Sequence, residues 1–399
     1  MDILGLTIMI PLLPFYAERM GASPAQVGWL VGVYAFCQLF SGPLLGRMSD
    51  RTGRKPLLIV SQFGTLIGFL VTALAGSLWV VFLGRIIDGI TAGNLSLAQA
   101  YISDVTKPEE RAKSFGIIGI AFGLGFLIGP AISGILARYD YRLPIFAAAG
   151  MSLVSILATT FLLPSVKPGA GAGKDGGPGG KRLSLIQWGE YARYFKTPGL
   201  RLLLFQFLAF CLSFAMFVSA LPLFLERRLM WHGKPFGPEQ TGYAWAYAGL
   251  LGIFLQGPGL GRLVKRFGER KLGQVGFAAY VLGYGALAIC FSIPWLVVIM
   301  TGLVLGGLVR PTLTSMITRV TADDERGVVL GLTQSLNSAA QIVGPPIAGW
   351  MIGRNYLASW GLATALVSLV GFWLATRAPT PEFSFAPQGD KTKSGAARS

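Results

Sequence analysis

GRMSDRTGRK, residues 46–55, places five charged side chains within nine positions, Arg47 to Lys55, between two long apolar runs. Outside such clusters the chain is poor in charge. Only 13% of its 399 residues are charged and 53% are hydrophobic, about half the charge of an ordinary soluble domain. Stretches such as 56–83, 117–136 and 272–308 carry almost no ionisable groups. A helix needs roughly 20 apolar residues to cross a bilayer, and only helices or closed barrels satisfy their backbone in lipid. These runs are too long for barrel strands and do not alternate. The stretch 46–55 therefore reads as a short polar connection between two membrane helices.

Working outward from it, the expected spans are 1–19, 24–46, 56–76, 78–104, 112–137 and 143–163, then 198–225, 240–262, 270–292, 294–318, 327–352 and 356–377. The fold class is an all-α membrane protein with 12 transmembrane helices. The expected domains are a six-helix bundle (1–163), a Gly-rich linker (164–197) whose second part reads as an amphipathic helix, a second six-helix bundle (198–377) and a disordered tail (378–399). From Asp2 to Tyr16 a helix rises about 21 Å, short of the roughly 30 Å core, so the first helix reads as truncated.

Loops after the even-numbered spans, the linker and the tail hold 25 of the 34 lysines and arginines. That asymmetry places them, and both termini, in the cytoplasm. The formal charge of +16 is then a topology signal, and no nucleic-acid partner is expected. Cys37, Cys211 and Cys290 sit in three different spans with no metal or disulfide spacing. No nucleotide loop, zinc motif or nucleophile elbow is present. Gly257-Pro258-Gly259 follows no strand, and His232 lies in an outer loop. No enzyme chemistry, cofactor or metal is expected.

The chain repeats itself. GPLLGRMSDRTGRK (42–55) aligns with GPGLGRLVKRFGER (257–270) at seven positions, and TKPEERAKSFG (106–116) with TADDERGVVLG (321–331). Gly129-Pro130 pairs with Gly344-Pro345, and Gly134 with Gly349. All are 215 residues apart (46 to 261, 106 to 321). Two parallel six-span repeats place a substrate cavity between them.

These residues resemble the major facilitator superfamily, and within it the twelve-helix drug:proton antiporters such as the tetracycline efflux proteins. Gly46 to Lys55 resembles the superfamily loop signature almost residue for residue. Arg85 with Gly89 resembles the fourth-helix arginine motif. Gly119, Gly123, Gly125, Gly129, Pro130 and Gly134 resemble the fifth-helix antiporter motif. The resemblance implies proton-coupled export of amphipathic small molecules by alternating access in the inner membrane, by a monomer. A metabolite:proton symporter and a non-transporting sensor or scaffold on the same fold are the alternatives.

Asp50 ends the second span. Its expected partners are Arg111 and the positive N-terminus of a helix from the other half, a clasp within the gate motif Gly46, Asp50, Arg51, Gly53, Arg54 and Arg111. Gly46 and Gly53 permit the tight reversal, and Arg51, Arg54 and Lys55 favour the anionic inner leaflet. Simple topology anchoring by a basic loop is the alternative. Lys265 stands at the matching place in the second copy, so a second clasp must work differently. Within spans, Arg85 and Asp88 share a helical face with Ser96 and Gln99, read as a cavity stripe or as a neutralised structural pair. Asp2 reads as a proton carrier or as an exposed terminal residue, since a poorly hydrated carboxylate can load and release a proton near neutral pH. Gln334, Asn337, Ser338 and Gln341 lie at i, i+3, i+4 and i+7 on one face, for ligand contact or for interhelical hydrogen bonds. Tyr34 with Gln38 is similar. The aromatic seventh span contains Phe205, Phe207, Phe210, Phe214 and Phe217, read mostly as lipid-facing or packing residues, with one or two for ligand contact. Arg310 departs from the tetracycline exporters and reads as a group for an anionic substrate or a partner for a carboxylate.

Overall fold

The computed structural model describes residues 1–106, 111–164, 193–321 and 325–377. The tail and most of the linker, with its expected amphipathic helix, lie outside the described residues. The first half contains α1 (Asp2–Arg19), α2 (Pro24–Thr52), α3 (Arg54–Ala73), α4 (Leu78–Ile90), α5 (Asn94–Val105), α6 (Arg111–Ala137) and α7 (Arg142–Leu162). The second contains α8 (Pro198–Arg228), α9 (Pro238–Phe254), a π turn (Leu255–Gly259), α10 (Leu260–Phe267), α11 (Glu269–Leu287), α12 (Ile293–Gly306), α13 (Val309–Arg319), α14 (Arg326–Gly353) and α15 (Leu357–Arg377). The hairpin β1 (Met230–Trp231) and β2 (Lys234–Pro235) joins α8 to α9. Among the described residues, seven helical segments are long and apolar enough to cross a membrane.

The repeat is visible in the backbone. α2 runs helical through the charged stretch to Thr52, farther than expected, because the reversal into α3 needs one residue only, Gly53 at φ 98°. Its counterpart Gly268, at φ 78°, turns α10 into α11. An L side chain is strained at such φ values. The fourth and tenth expected spans are each broken. α5 restarts at Asn94 and α13 at Val309, again 215 residues apart. In the first break the Ser61 hydroxyl donates to the Thr91 carbonyl and accepts from the Gly93 amide at 2.9 Å. Those bonds satisfy backbone that the interrupted helix leaves free.

Each half packs as a bundle around buried apolar residues: Ile8, Leu12, Leu30 and Ile145 in the first, and Leu204, Phe224, Phe277 and Trp360 in the second. The halves meet chiefly through α2 against α14 and α6 against α9. Residues 52–54, 106, 111, 267–269, 319–321 and 325 lie at the end where the linker departs, called here the linker face. The opposite face carries residues 19–24, 138–142, 228–238 and 354–357.

The halves seal at that opposite face. A Cβ on Gly28 would stand 2.3 Å from the Pro345 carbonyl oxygen, and one on Gly349 would stand 2.1 Å from that of Pro24. A Cβ on Gly242 would meet the Pro130 carbonyl at 2.4 Å, and one on Gly134 the Glu239 backbone at 3.0 Å. Glycine at these positions lets backbone touch backbone. Among the described residues, every hydrogen bond and ion pair between the halves lies there too. Arg138 binds Glu239 and, at 2.6 Å, the Tyr243 hydroxyl; Arg227 donates to Glu18 at 2.6 Å.

Candidate functional site

Three charged residues are sunk into the first half. Arg85 and Asp88, one turn apart on α4, are 4% and 5% exposed, with Nη2 3.3 Å from Oδ2. The pair is close but not aligned: Nε and Nη2 of Arg85 find no hydrogen-bond acceptor. The guanidinium lies 5.8 Å from the Tyr34 ring centre and 5.7 Å from that of Phe69. α3 supplies the surroundings. Gln62 donates to Asp2 Oδ2 at 3.2 Å and to the Ser155 hydroxyl at 3.0 Å. Asn94 donates to the Thr65 hydroxyl at 3.3 Å. Close packing holds α3 against α4, since a Cβ on Gly68 would meet that of Asp88 at 2.8 Å. Asp2 is half-buried and its Oδ1 has no partner, so it is not a freely exposed terminal side chain. Gln62, Thr65 and Asn94 were not singled out from the sequence. An isolated amide or hydroxyl in an apolar run was the available signal.

The expected single stripe from Arg85 to Gln99 does not exist. The break at Thr91–Gly93 shifts the helical phase, so Arg85 and Asp88 are buried in the bundle while Ser96 and Gln99 are exposed on α5. The α14 stripe also divides. Gln334 is exposed, Asn337 and Gln341 are half-buried, and Ser338 is buried. α14 lies between α2 and α8, which leaves only part of that face open. Tyr34 and Gln38 are half-buried and joined, Gln38 donating to the Tyr34 hydroxyl at 3.3 Å. In α8, Phe207, Phe210 and Phe217 are buried, Phe214 is half-buried and Phe205 is exposed. Phe210 stacks on Tyr280, with ring centres 6.1 Å apart. The three buried rings pack within the second half.

At the linker face, the Asp50 carboxylate pairs with Arg54 at 2.6 Å, and Arg54 Nε reaches Asp104 at 2.8 Å. Arg54 also donates to the Ser49 hydroxyl at 2.7 Å. The side chain of Arg111, the expected partner of Asp50, lies outside the described residues. The Asp50 side chain is 58% exposed. Arg51 is exposed, while Gly46 is half-buried in the helix end. The second copy inverts the signs. Glu269 stands where Arg54 does, Arg319 where Asp104 does, and the two pair at 3.0 Å. The Ser315 hydroxyl donates to Glu269 at 2.7 Å. A loop-anchoring ion pair thus survives in both copies with its charges exchanged.

The fifth-helix glycines serve two neighbours. Gly123 faces Ile253 of α9, at 3.3 Å for an added Cβ, and Gly134 faces Glu239. Gly125 and Gly129 instead abut Ile3 and Thr7 of α1, at 2.9 and 2.2 Å. The Pro130 carbonyl receives Gly242. The surroundings of Gly119 lie outside the described residues. The motif therefore seals two contacts, one between the halves and one within the first.

At the sealed face, Arg138→Ala removes an exposed cross-half pair. Solvent screens an exposed pair, so the population open at this face is expected to change little. Spin-label distances between the halves at that face check this.

A duplicated helical bundle with buried ionisable groups, sealed between its halves at one face, defines a multi-pass membrane carrier rather than an enzyme. Residues 1–332 and 238–397 match the Major Facilitator Superfamily, and the chain belongs to that family. It is 31% identical over 357 residues to the tetracycline resistance protein, class B, of Escherichia coli, covering 86% of this chain and 84% of that one. It is 26% identical over 376 residues to the quinolone resistance protein NorA of Staphylococcus aureus, covering 92% and 91%. Among solved structures, the nucleoside transporter NupG aligns with TM-score 0.75 at 14% identity, covering 94% of this chain and 96% of that one. A human organic anion transporter aligns with TM-score 0.71 at 22% identity, with the same coverage. At those identities the structures support the fold alone.

Proposed function

We propose that the chain exports amphipathic small molecules, drugs among them, in exchange for protons. It works as a monomer of twelve spans in the inner membrane. Both termini, the linker and the tail are cytoplasmic, residues 1–163 and 198–377 being the two moving bundles. The resistance proteins to which the chain is similar support the class of cargo. The observation that carries the coupling is the buried pair Arg85 and Asp88 in the same half-bundle as the half-buried Asp2. Burying unpaired charge is expensive, so protonation of either carboxylate changes what Arg85 can pair with and which packing is favoured. Ionised, Asp88 holds Arg85 within the bundle. Protonated, it frees the guanidinium to turn toward Tyr34 or the cleft. The exposed Ser96, Gln99, Arg310 and Gln334 sit on segments that lead to the linker face, where a cleft open to the cytoplasm would receive cargo. Asp50, Arg51, Arg54 and Arg111 then form the cytoplasmic gate when the halves rock shut.

Replacing Asp2 and Asp88 together with Asn keeps size and hydrogen bonding while removing both proton sites. Proton-driven efflux from reconstituted vesicles is expected to vanish, while cargo binding remains. Substrate-induced proton movement in the double variant would refute the assignment.

A further inference from the structure

We infer that Arg310 is the cleft's anion anchor, so that the favoured substrates carry a carboxylate or similar acidic oxygen; this rests on the transport reading above and narrows its substrate class.

Arg310 opens α13, directly after the break that interrupts the tenth span, and between Ile293 and Thr318 it is the only charged residue. None of the ion pairs among the described residues includes it. None could form within its bundle's core, because stretches 198–225, 240–262, 270–292, 294–318, 327–352 and 356–377 contain no Asp or Glu. The first half treats its buried arginine differently, placing Asp88 one turn away.

A charged side chain within a span is tolerated where it faces the bundle interior or water. Arg310 is exposed, yet its electrostatic neighbours are Cys211 of α8 and Tyr280 of α11. Both are interior residues, 3% and 4% exposed, so the charge of the guanidinium is felt on the bundle's inner side. Beside it, the π turn of the eighth span brings Gln256 against the same break: a Cβ on Gly307 would stand 2.7 Å from Gln256 Nε2. Gln256 is exposed and makes no hydrogen bond among the described residues. A guanidinium only donates, and an amide NH2 adds two more donors. Two helix breaks thus present unpartnered donors and one uncompensated positive charge at one place, which is the complement of a carboxylate.

The test uses the full chain in nanodiscs and two dyes with one skeleton, rhodamine B, which has a free carboxylate, and its ethyl ester. Anisotropy gives the affinity ratio of acid to ester without any proton gradient. Arg310→Gln is expected to lower that ratio by about tenfold to a hundredfold, the worth of a charge-assisted hydrogen bond, with ester affinity kept within about twofold. Arg310→Lys keeps the charge and is expected to retain part of the preference. Gln256→Leu lowers the ratio by less. A ratio unchanged in Arg310→Gln and Gln256→Leu, both folded by thermal unfolding, overturns the inference. A chain that discriminates between the dyes yet moves neither in vesicles would refute the exporter reading and leave the anchor standing.

Discussion

Arg85→Ala is expected to cost about 3–5 kcal/mol of stability, the usual consequence of removing one partner from a buried pair, and to end proton-coupled transport. The reason is asymmetric. Asp88 is 5% exposed and would be left as a buried carboxylate without its counter-charge. It can recover only by taking a proton or by drawing water into packing that Gly68 and Gly84 make tight. The informative partner experiment is Arg85→Leu with Asp88→Leu. Replacing both members of a buried pair with apolar residues is often neutral for stability, so the double variant should unfold near the wild-type temperature. If the pair were only glue between helices, such a carrier would still exchange substrate for protons. The mechanism above requires that it does not. Thermal unfolding of both variants, alongside substrate-induced acidification in vesicles, separates the two roles.

The second large effect lies at the sealed face. Gly349→Val places new carbon where the Pro24 carbonyl oxygen stands, 2.1 Å from an ideal Cβ. Backbone cannot move aside as a flexible side chain can, so the contact between α2 and α14 must part. Overpacking of this kind costs about 1–3 kcal/mol, borne by the conformer sealed at this face and not by the opposite one. The equilibrium is therefore expected to shift about fivefold to 150-fold toward opening at this face. Gly28→Val, at 2.3 Å from the Pro345 carbonyl, should act in the same direction. Labelling of a cysteine introduced at Tyr139 or Asn355, both exposed there, is not enough by itself. The readout is labelling of a normally buried neighbour such as Val27. Faster labelling of Val27→Cys in the glycine variants, together with slower transport, is the expected result. The backbone clash outweighs the Arg138 pair, which is why the seal is argued from glycines and not from ions.

Much of this was legible in the sequence, and the misses have physical reasons. Span positions follow from apolar runs because lipid demands them, and the 215-residue offset was readable because loop motifs repeat. The same offset matches Arg54 with Glu269 and Asp104 with Arg319, the exchanged ion pairs at the linker face. The stripe from Arg85 to Gln99 fails because the helix does not keep its phase through Thr91-Ala92-Gly93, where the Ser61 hydroxyl of α3 replaces backbone bonds. Ser338 is buried, and periodicity assigns a face but not the neighbour that covers it. Glu18 with Arg227 and Arg138 with Glu239 join residues 209 and 101 positions apart, and no local pattern announces such pairs. Asp2 was legible as a charge in an apolar run, while Gln62, which binds it, was not.

The central claim is that the two faces open in turn. Pulsed spin-label distances test it directly, with labels at exposed Tyr139 and Lys234 across the sealed face and at Thr52 and Phe267 across the linker face, in a chain with Cys37, Cys211 and Cys290 replaced. A short distance at the first pair and a long one at the second are expected in the resting protein, exchanging when substrate and a proton gradient are supplied. Both distances holding still while the labelled protein continues to transport would contradict it.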